Sequence, residues 1–403
     1  MAYYTRYEKL QKCHSDGTPY EPAEYKKGEK LGVAEYSSIE ECQGQPGPGP
    51  GPGPGPVNYT CCITWEANND LNFSFNNNDI TTKENPWCTQ EKVRELDFHK
   101  SQSEIESLDI TIDETNNITR MYLAFGKMGY LRSVKLNIPK AASLSDISRM
   151  FEDSTNLTSI NFINFDTSHV TTANYVFSGC HNLRTLDVSN WNTSNLKSAA
   201  FMFADCRLLT SLDLNNWDIS NLQDASEMFG SCTSLTSLDV SNWNTSNLKS
   251  AADMFAGCNL LTSLDVSNWN ISNLQDASGM FHSCHNLRTL DVSNWNVSNV
   301  TTLEYTFAFC HSLTSLDLSN WNTSNCQNFN FIFCGSENLE TLNLKNFDMS
   351  RAISYKVMFR ECNKLKNIIC KQAFKNWCIT HQDEIELPTA MREGGTGTWT
   401  IVN

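Results

Sequence analysis

A single spacing governs this chain. Trp191, Trp217, Trp243, Trp269, Trp295 and Trp321 stand 26 residues apart, and Phe165 and Phe347 extend the file at both ends. The same step joins Phe177, Phe203, Phe229, Phe255, Phe281, Phe307, Phe333 and Phe359. It also joins Cys180, Cys206, Cys232, Cys258, Cys284 and Cys310, passes over Ser336 and resumes at Cys362. Weaker copies run upstream through Ile105, Leu131 and Leu157 and through Leu108, Val134 and Ile160; Leu365 and Ile368 close the register downstream. The leucine-type column holds eleven positions from Ile105 to Leu365, with no insertion or deletion. A fixed period of this length is the signature of stacked coils, each burying its apolar side against its neighbours. There is a 52-residue super-period as well: the unit from Trp191 matches that from Trp243 at 21 of 26 positions, and the unit from Trp217 matches that from Trp269 at 19.

Within one unit, Leu235, Leu238 and Val240 give the L-x-x-L-x-L pattern of a short strand, followed by a turn at Ser241-Asn242. Leu248, Ala251, Met254, Phe255 and Cys258 then fall at helical spacing, which predicts a short helix of about three turns. Ser220 followed by Gln223 resembles a capping box for that helix. The expected fold is therefore an α/β solenoid, a strand-turn-helix array of about eleven 26-residue turns with caps, preceded by a small β-rich module.

The flanks read differently. Residues 1–45 are aromatic and charged, with strand-like Tyr3–Leu10 and Lys30–Tyr36. Pro46 to Pro56 alternates strictly with Gly and lacks the three-residue period of collagen, so a semi-extended linker of roughly 30 Å at ~3 Å per residue is expected. Residues 57–104, with strand-like Val57–Trp65 and a helix candidate at Gln90–His99, are expected to cap the array of residues 105–370. Residues 371–403, with helix candidate Lys371–Ile379 and strand-like Thr396–Val402, are expected to form the second cap.

The units L-T-S-L-D-V-S-N-W-N-T-S-N-L…M-F…C, as in Leu235–Cys258, resemble the BspA-like leucine-rich repeats of microbial surface proteins over about residues 105–370. The resemblance implies a leucine-rich-repeat fold with adhesion or host-surface recognition as its role. Trp243 stands where most such repeats place an Asn or Cys that satisfies backbone groups, and Asn242 and Asn244 are expected to take over that task. The N-terminal Tyr-Glu-Lys-Leu-Gln-Lys…Gly-Glu-Lys-Leu-Gly…Glu-Glu-Cys, ahead of the Gly-Pro linker, resembles short modules of virion proteins of crAss-like gut phages. That resemblance implies an anchor on a larger assembly.

Composition narrows the partners. A net charge of −15 without a Lys/Arg cluster argues against nucleic acid and against an anionic membrane surface. No 18-residue apolar run is present, so membrane insertion is not expected. The first residues lack an apolar h-region, so Sec export is not expected; the phage-module resemblance implies a virion, assembled in the cytoplasm, as the location, with a cell surface as the alternative.

Three features compete as sites. Seven of the sixteen cysteines share one repeat position on the apolar stripe. There they fit core packing as small hydrophobes, while disulfides between coils and metal binding stay open. Asp187, Asp213, Asp239, Asp265, Asp291 and Asp317 occupy the outward position between the buried residues of each L-x-L. Carboxylates repeated every ~5 Å repel one another unless compensated. Ser and Thr hydroxyls, a bound partner, or Ca²⁺ bridging adjacent turns would each supply the compensation. With Thr236, Ser237 and Ser241 this column forms a polar face, interrupted by Arg184, Arg288 and Glu340, that is either a docking surface or simply solvated. Histidines 181, 285 and 311 follow column cysteines without zinc-motif spacing and are expected at the surface. No nucleophile elbow, P-loop or H-E-x-x-H motif is present. The expectation is thus a non-enzymatic recognition protein without a cofactor, held to a virion or surface assembly through residues 1–45, its solenoid meeting a host-surface protein or glycan.

Overall fold

The computed structural model describes residues 70–75, 107–112, 120–138 and 144–402, and the chain divides into two units, Met1–His169 and Val170–Asn403. The N-terminal module, the Pro-Gly linker, Val57–Trp65 and Gln90–His99 lie outside the described residues. The fold is a β-solenoid of about nine turns. About eleven turns are expected from the leucine-type column; its first position, Ile105, lies outside the described residues, and the coil of Leu365 closes on the C-terminal cap.

In the first unit, β1 (Asp70–Phe75), β2 (Ser107–Ile112), β3 (Ser133–Asn137) and β4 (Ser159–Ile163) pair in parallel in chain order. Their register sets Leu108 against Val134 and Val134 against Ile160, the alignment the repeat requires. Phe125 and Phe151 stack at 5.1 Å within this unit.

In the second unit the strands shrink. β5 (Ser211–Leu212) pairs with β6 (Ser237–Leu238), and β7 (Ser315–Asp317), β8 (Thr341–Asn343), β9 (Asn367–Cys370) and β10 (Thr398–Ile401) form one parallel sheet in chain order. The strands are short because the chain turns at the aspartate within L-x-L: Asp239 Oδ1 accepts from the Ser241 backbone N–H at 3.1 Å, and Asp213 Oδ1 from that of Asn215 at 3.2 Å, curling the chain out of the ladder. A second ladder of single parallel bridges runs Thr172, Ser198, Asp224, Ser250, Asp276, Thr302, Asn328, Ser354. Each coil is thus clamped to the next at two corners.

The expected helix is not formed. Between Ala199 and Cys206 the backbone N–H groups alternate in destination. Those of Ala199, Phe201, Phe203 and Asp205 donate to the next coil, at the carbonyls of Asp224, Ser226, Met228 and Gly230. Those of Met202, Ala204 and Cys206 close turns on the residue three back. Phe201 and Asp205 sit at φ 59°, a left-handed conformation that interrupts any α-helical ladder. Equivalent left-handed residues recur in successive coils: Tyr175, Glu227, Asp253, Gly279, Tyr305, Phe331 and Val357 at the first position, and Gly179, Ser231, Gly257, Ser283, Phe309, Gly335 and Glu361 at the second. Nor does a helix begin at Ser220, whose backbone N–H donates to Asp218 Oδ1. The apolar spacing that suggested a helix is met equally by a chain of tight turns, and the turns win because they let alternate N–H groups bond to the neighbouring coil.

The interior is a set of files. Phe rings from Phe177 to Phe333 stack at 5.5–5.9 Å. The indoles of Trp243, Trp269, Trp295 and Trp321 stack at 6.1–6.3 Å. Buried aromatic pairs of this kind contribute about 0.5–1.5 kcal/mol each beyond area burial. α1 (Gln372–Thr380) and β10 form the C-terminal cap, with Phe374, Cys378, Ile385, Leu387 and Met391 buried. There the N–H groups of Val357 and Phe359 find the carbonyls of Glu384 and Ile385, and β10 pairs with β9. The cap therefore satisfies the donors that a further coil would have met.

Candidate functional site

The aspartate column stands on the outer side of the strand ladder. Asp187, Asp213, Asp239, Asp265, Asp291 and Asp317 are all exposed, as are Thr236, Ser237, Arg184 and Arg288. Each carboxylate is held by the residue two places on. The Ser189, Ser241, Ser267 and Ser293 hydroxyls donate to Oδ1 of Asp187, Asp239, Asp265 and Asp291 at 2.6–2.7 Å. Asp213 and Asp317 accept backbone N–H groups from Asn215 and Ser319. These bonds hold the carboxyls of Asp187, Asp239 and Asp265 below the usual carboxylate range, the serine hydroxyl being the largest cause. Asp265 pushes the other way on Asp239, as like charges in adjacent coils must. Local hydroxyl donation, one of the open readings, is thus present at four of the six. Each of these carboxylates keeps its Oδ2 outside those bonds. Among the described residues no group of three or more His, Cys, Asp or Glu converges where it could hold a metal ion. Glu340, at the C-terminal end of this face, pairs with Lys366 at 2.6 Å.

The tryptophan file shares the task expected of the flanking asparagines: Asn216, Asn320 and Asn346, each just before the column's aromatic ring, donate to the carbonyls of Ser189, Ser293 and Ser319 in the coil before. Nε1 of Trp217, Trp269, Trp295 and Trp321 donates to the carbonyls of Val188, Val240, Val266 and Val292 in the preceding coil, at 2.9–3.0 Å. Trp243 Nε1 is buried without a partner. Asn244 accepts from Ser246, and a further asparagine, four residues beyond the tryptophan from Trp217 to Trp321, also bonds between coils: Asn221, Asn247, Asn273, Asn299 and Asn325 donate to serine carbonyls of the coil before. This ladder was legible as the N of W-N-T-S-N but was not read from the sequence.

The cysteine column is buried, and the thiols of Cys206, Cys232, Cys258, Cys284, Cys310 and Cys362 donate to phenylalanine carbonyls at 3.0–3.3 Å. Ser336, where the column breaks, makes the same bond to Phe307 at 2.7 Å. Burial pushes the Cys232 and Cys284 thiols up to about 12, so they stay protonated at neutral pH. His285 and His311 stack at 4.6 Å and are half-buried; burial and its neighbour hold the first below the ordinary histidine range.

A second surface carries the left-handed columns. Tyr175 stacks on Phe201 and Tyr305 on Phe331, both at 4.5 Å. Half-buried Glu227 and Asp253 lie between these pairs. Partial burial pushes both carboxyls up; Asp253 and Asp205 add to this at Glu227, and Asp276 and Glu304 at Asp253. No helix among the described residues is long and apolar enough to cross a membrane.

Residues 145–263 and 254–374 each match the family model described as Mycoplasma protein of unknown function, DUF285. No curated protein matches the chain. Among solved structures it is similar to a leucine-rich cell surface protein of Faecalibacterium prausnitzii, at 18% identity over 79% of this chain and 92% of that one, with a TM-score of 0.38. A leucine-rich-repeat protein of Bacteroides ovatus shares 18% identity over 72% and 89%, with a TM-score of 0.26. An internalin of Listeria monocytogenes shares 18% over 70% and 88%, with a TM-score of 0.25.

Proposed function

We propose that this chain, which belongs to the DUF285 family of Mycoplasma proteins of unknown function, is a recognition protein that binds a host-surface protein or glycan through the polar strand face of its solenoid. One observation carries the reading: exposed aspartates recur at the same place in consecutive coils, and a neighbouring serine orients each of four of them. Pre-oriented groups on a stiff scaffold lose little conformational freedom on binding, which is what a broad contact of modest individual interactions needs. Residues 1–45 are the proposed anchor on a larger assembly, a virion in the leading reading and a cell surface in the alternative, and the Pro-Gly stretch is the proposed spacer. No residue is assigned a catalytic role.

The test replaces Asp239, Asp265 and Asp291 with Asn. Asparagine accepts the same serine N–H bond elsewhere in this chain, as at Asn270 and Asn296, so the coils should keep their unfolding midpoint. Attachment of the full chain to host cells should fall at least about tenfold. Undiminished attachment would remove this face from the function.

A further inference from the structure

The array ends abruptly, and its end is hollow. In the last coil the tryptophan column is occupied by the smaller Phe347, and the next coil is replaced by α1, whose Phe374 meets Phe347 edge-on at 5.9 Å and 82°. A nine-residue helix does not fill the footprint of a 26-residue coil. The result is a cleft of about 650 Å³ between the coil and α1, within the 300–1,000 Å³ of small-ligand sites.

Its walls are chemically unlike. The apolar floor is Phe347, Met349 and Phe374, each 4–9% exposed, with Trp377 beside them. Asp348 and Lys371 line the same cleft, and neither makes an ion pair among the described residues. Asp348 is held from both sides. Its backbone N–H donates to Thr323 Oγ1 at 2.7 Å, its carbonyl accepts from that hydroxyl at 3.0 Å, and its Oδ1 accepts the Ser350 N–H. Lys371 is the N-cap residue of α1, whose first turn has neither a capping side chain nor an acidic residue. The N–H groups of that turn and the Lys371 ammonium thus favour an anion on one wall. On the other wall a fixed carboxylate beside aromatic rings favours an ammonium. Opposite charges that share a cleft without closing on each other match a ligand carrying both.

We propose that this cleft binds a small zwitterion, an ammonium group and a phosphate or carboxylate on one compact body, as in a phosphocholine headgroup or a free aromatic amino acid. The site is separate from the aspartate column, and its fate does not depend on the reading given to that face.

The test is calorimetric titration of the full chain with phosphocholine, phenylalanine, choline chloride and inorganic phosphate. One of the two zwitterions should bind and the single-charge fragments should bind at least about tenfold more weakly; which zwitterion binds identifies the source. Lys371→Gln and Asp348→Asn should each weaken binding about tenfold, the value of one charged hydrogen bond. Phe347→Trp, which restores the column's own residue and fills the cleft, should abolish binding while leaving the chain folded. Titration heats absent for both zwitterions, or affinities unmoved by Lys371→Gln and Asp348→Asn in folded protein, would overturn the proposal and leave the cleft as a gap in packing at the end of the array.

Discussion

At the scale of single residues, the interior couples two requirements that usually compete. The tryptophan and cysteine columns are chosen for shape, yet each also supplies a donor to a carbonyl of the preceding coil. Trp269 Nε1 bonds to the Val240 carbonyl at 3.0 Å, whereas Trp243 Nε1 has no partner. A paired comparison follows from that difference. Both Trp269→Phe and Trp243→Phe lose indole surface, but only the first also breaks a buried hydrogen bond, leaving the Val240 carbonyl with the Trp243 backbone N–H alone. Urea unfolding should therefore show Trp269→Phe less stable than Trp243→Phe by about 1 kcal/mol, the net value of one such bond. Equal losses would mean that the indole N–H bonds contribute nothing. The cysteines follow the same logic: Ser336 makes the column's hydrogen bond with a hydroxyl, which shows that the position demands a small donor and not thiol chemistry.

At the scale of the element, the turn segment is where strain and charge collect. Phe201, Tyr305, Phe331 and Val357 hold left-handed φ values of 56–61°, each at a cost of about 1–2 kcal/mol for a residue with a side chain. The stacking of Tyr305 on Phe331 offsets part of this. The carboxylates of Glu227 and Asp253 add like-charge repulsion on the same ridge. Folding raises both above their ordinary 4.5 and 3.8. A raised carboxyl favours the folded chain fully below its unfolded value and loses that contribution as pH climbs through the folded value. Glu227→Gln and Asp253→Asn should thus be more stable than the parent at pH 7, and thermal melts should show the gap closing as pH falls toward 4. A gap independent of pH would assign the effect to backbone conformation alone.

At the scale of the whole molecule, stability resides in contacts between neighbouring coils: beside the bonds that close turns within a coil, hydrogen bonds reach partners 24–29 residues away in the next coil or the last. Removing residues 222–247 excises one complete coil and rejoins Asn221 to Leu248, so the remaining columns stay in file. The shortened chain should fold cooperatively, with an unfolding enthalpy lower by roughly 18 kcal/mol at ~0.7 kcal/mol per residue. Removing residues 222–234 takes half a coil and sets Trp243 against Ala204 in the return turns of the coil before; that chain should not fold. Calorimetry of both variants decides the matter, and equal tolerance of the two deletions would contradict nearest-neighbour stacking.

Much of this architecture was written in the spacing. A strict 26-residue period dictates which residues share a file, and so the parallel register of β2, β3 and β4, the Trp and Phe stacks and the outward aspartates could be read directly. Lys371–Ile379 and Thr396–Val402 likewise foretold α1 and β10. The path of the return segment was not legible, because apolar residues at i, i+3 and i+7 suit a helix and a run of tight turns alike. What separates the two is whether the Phe201 N–H seeks its partner within its own coil or 25 residues away at Ser226, and only a stacked neighbour offers the second choice. The end cleft was hidden for the same reason: the period says where a coil would lie, but the space left when α1 takes its place exists only once both are packed.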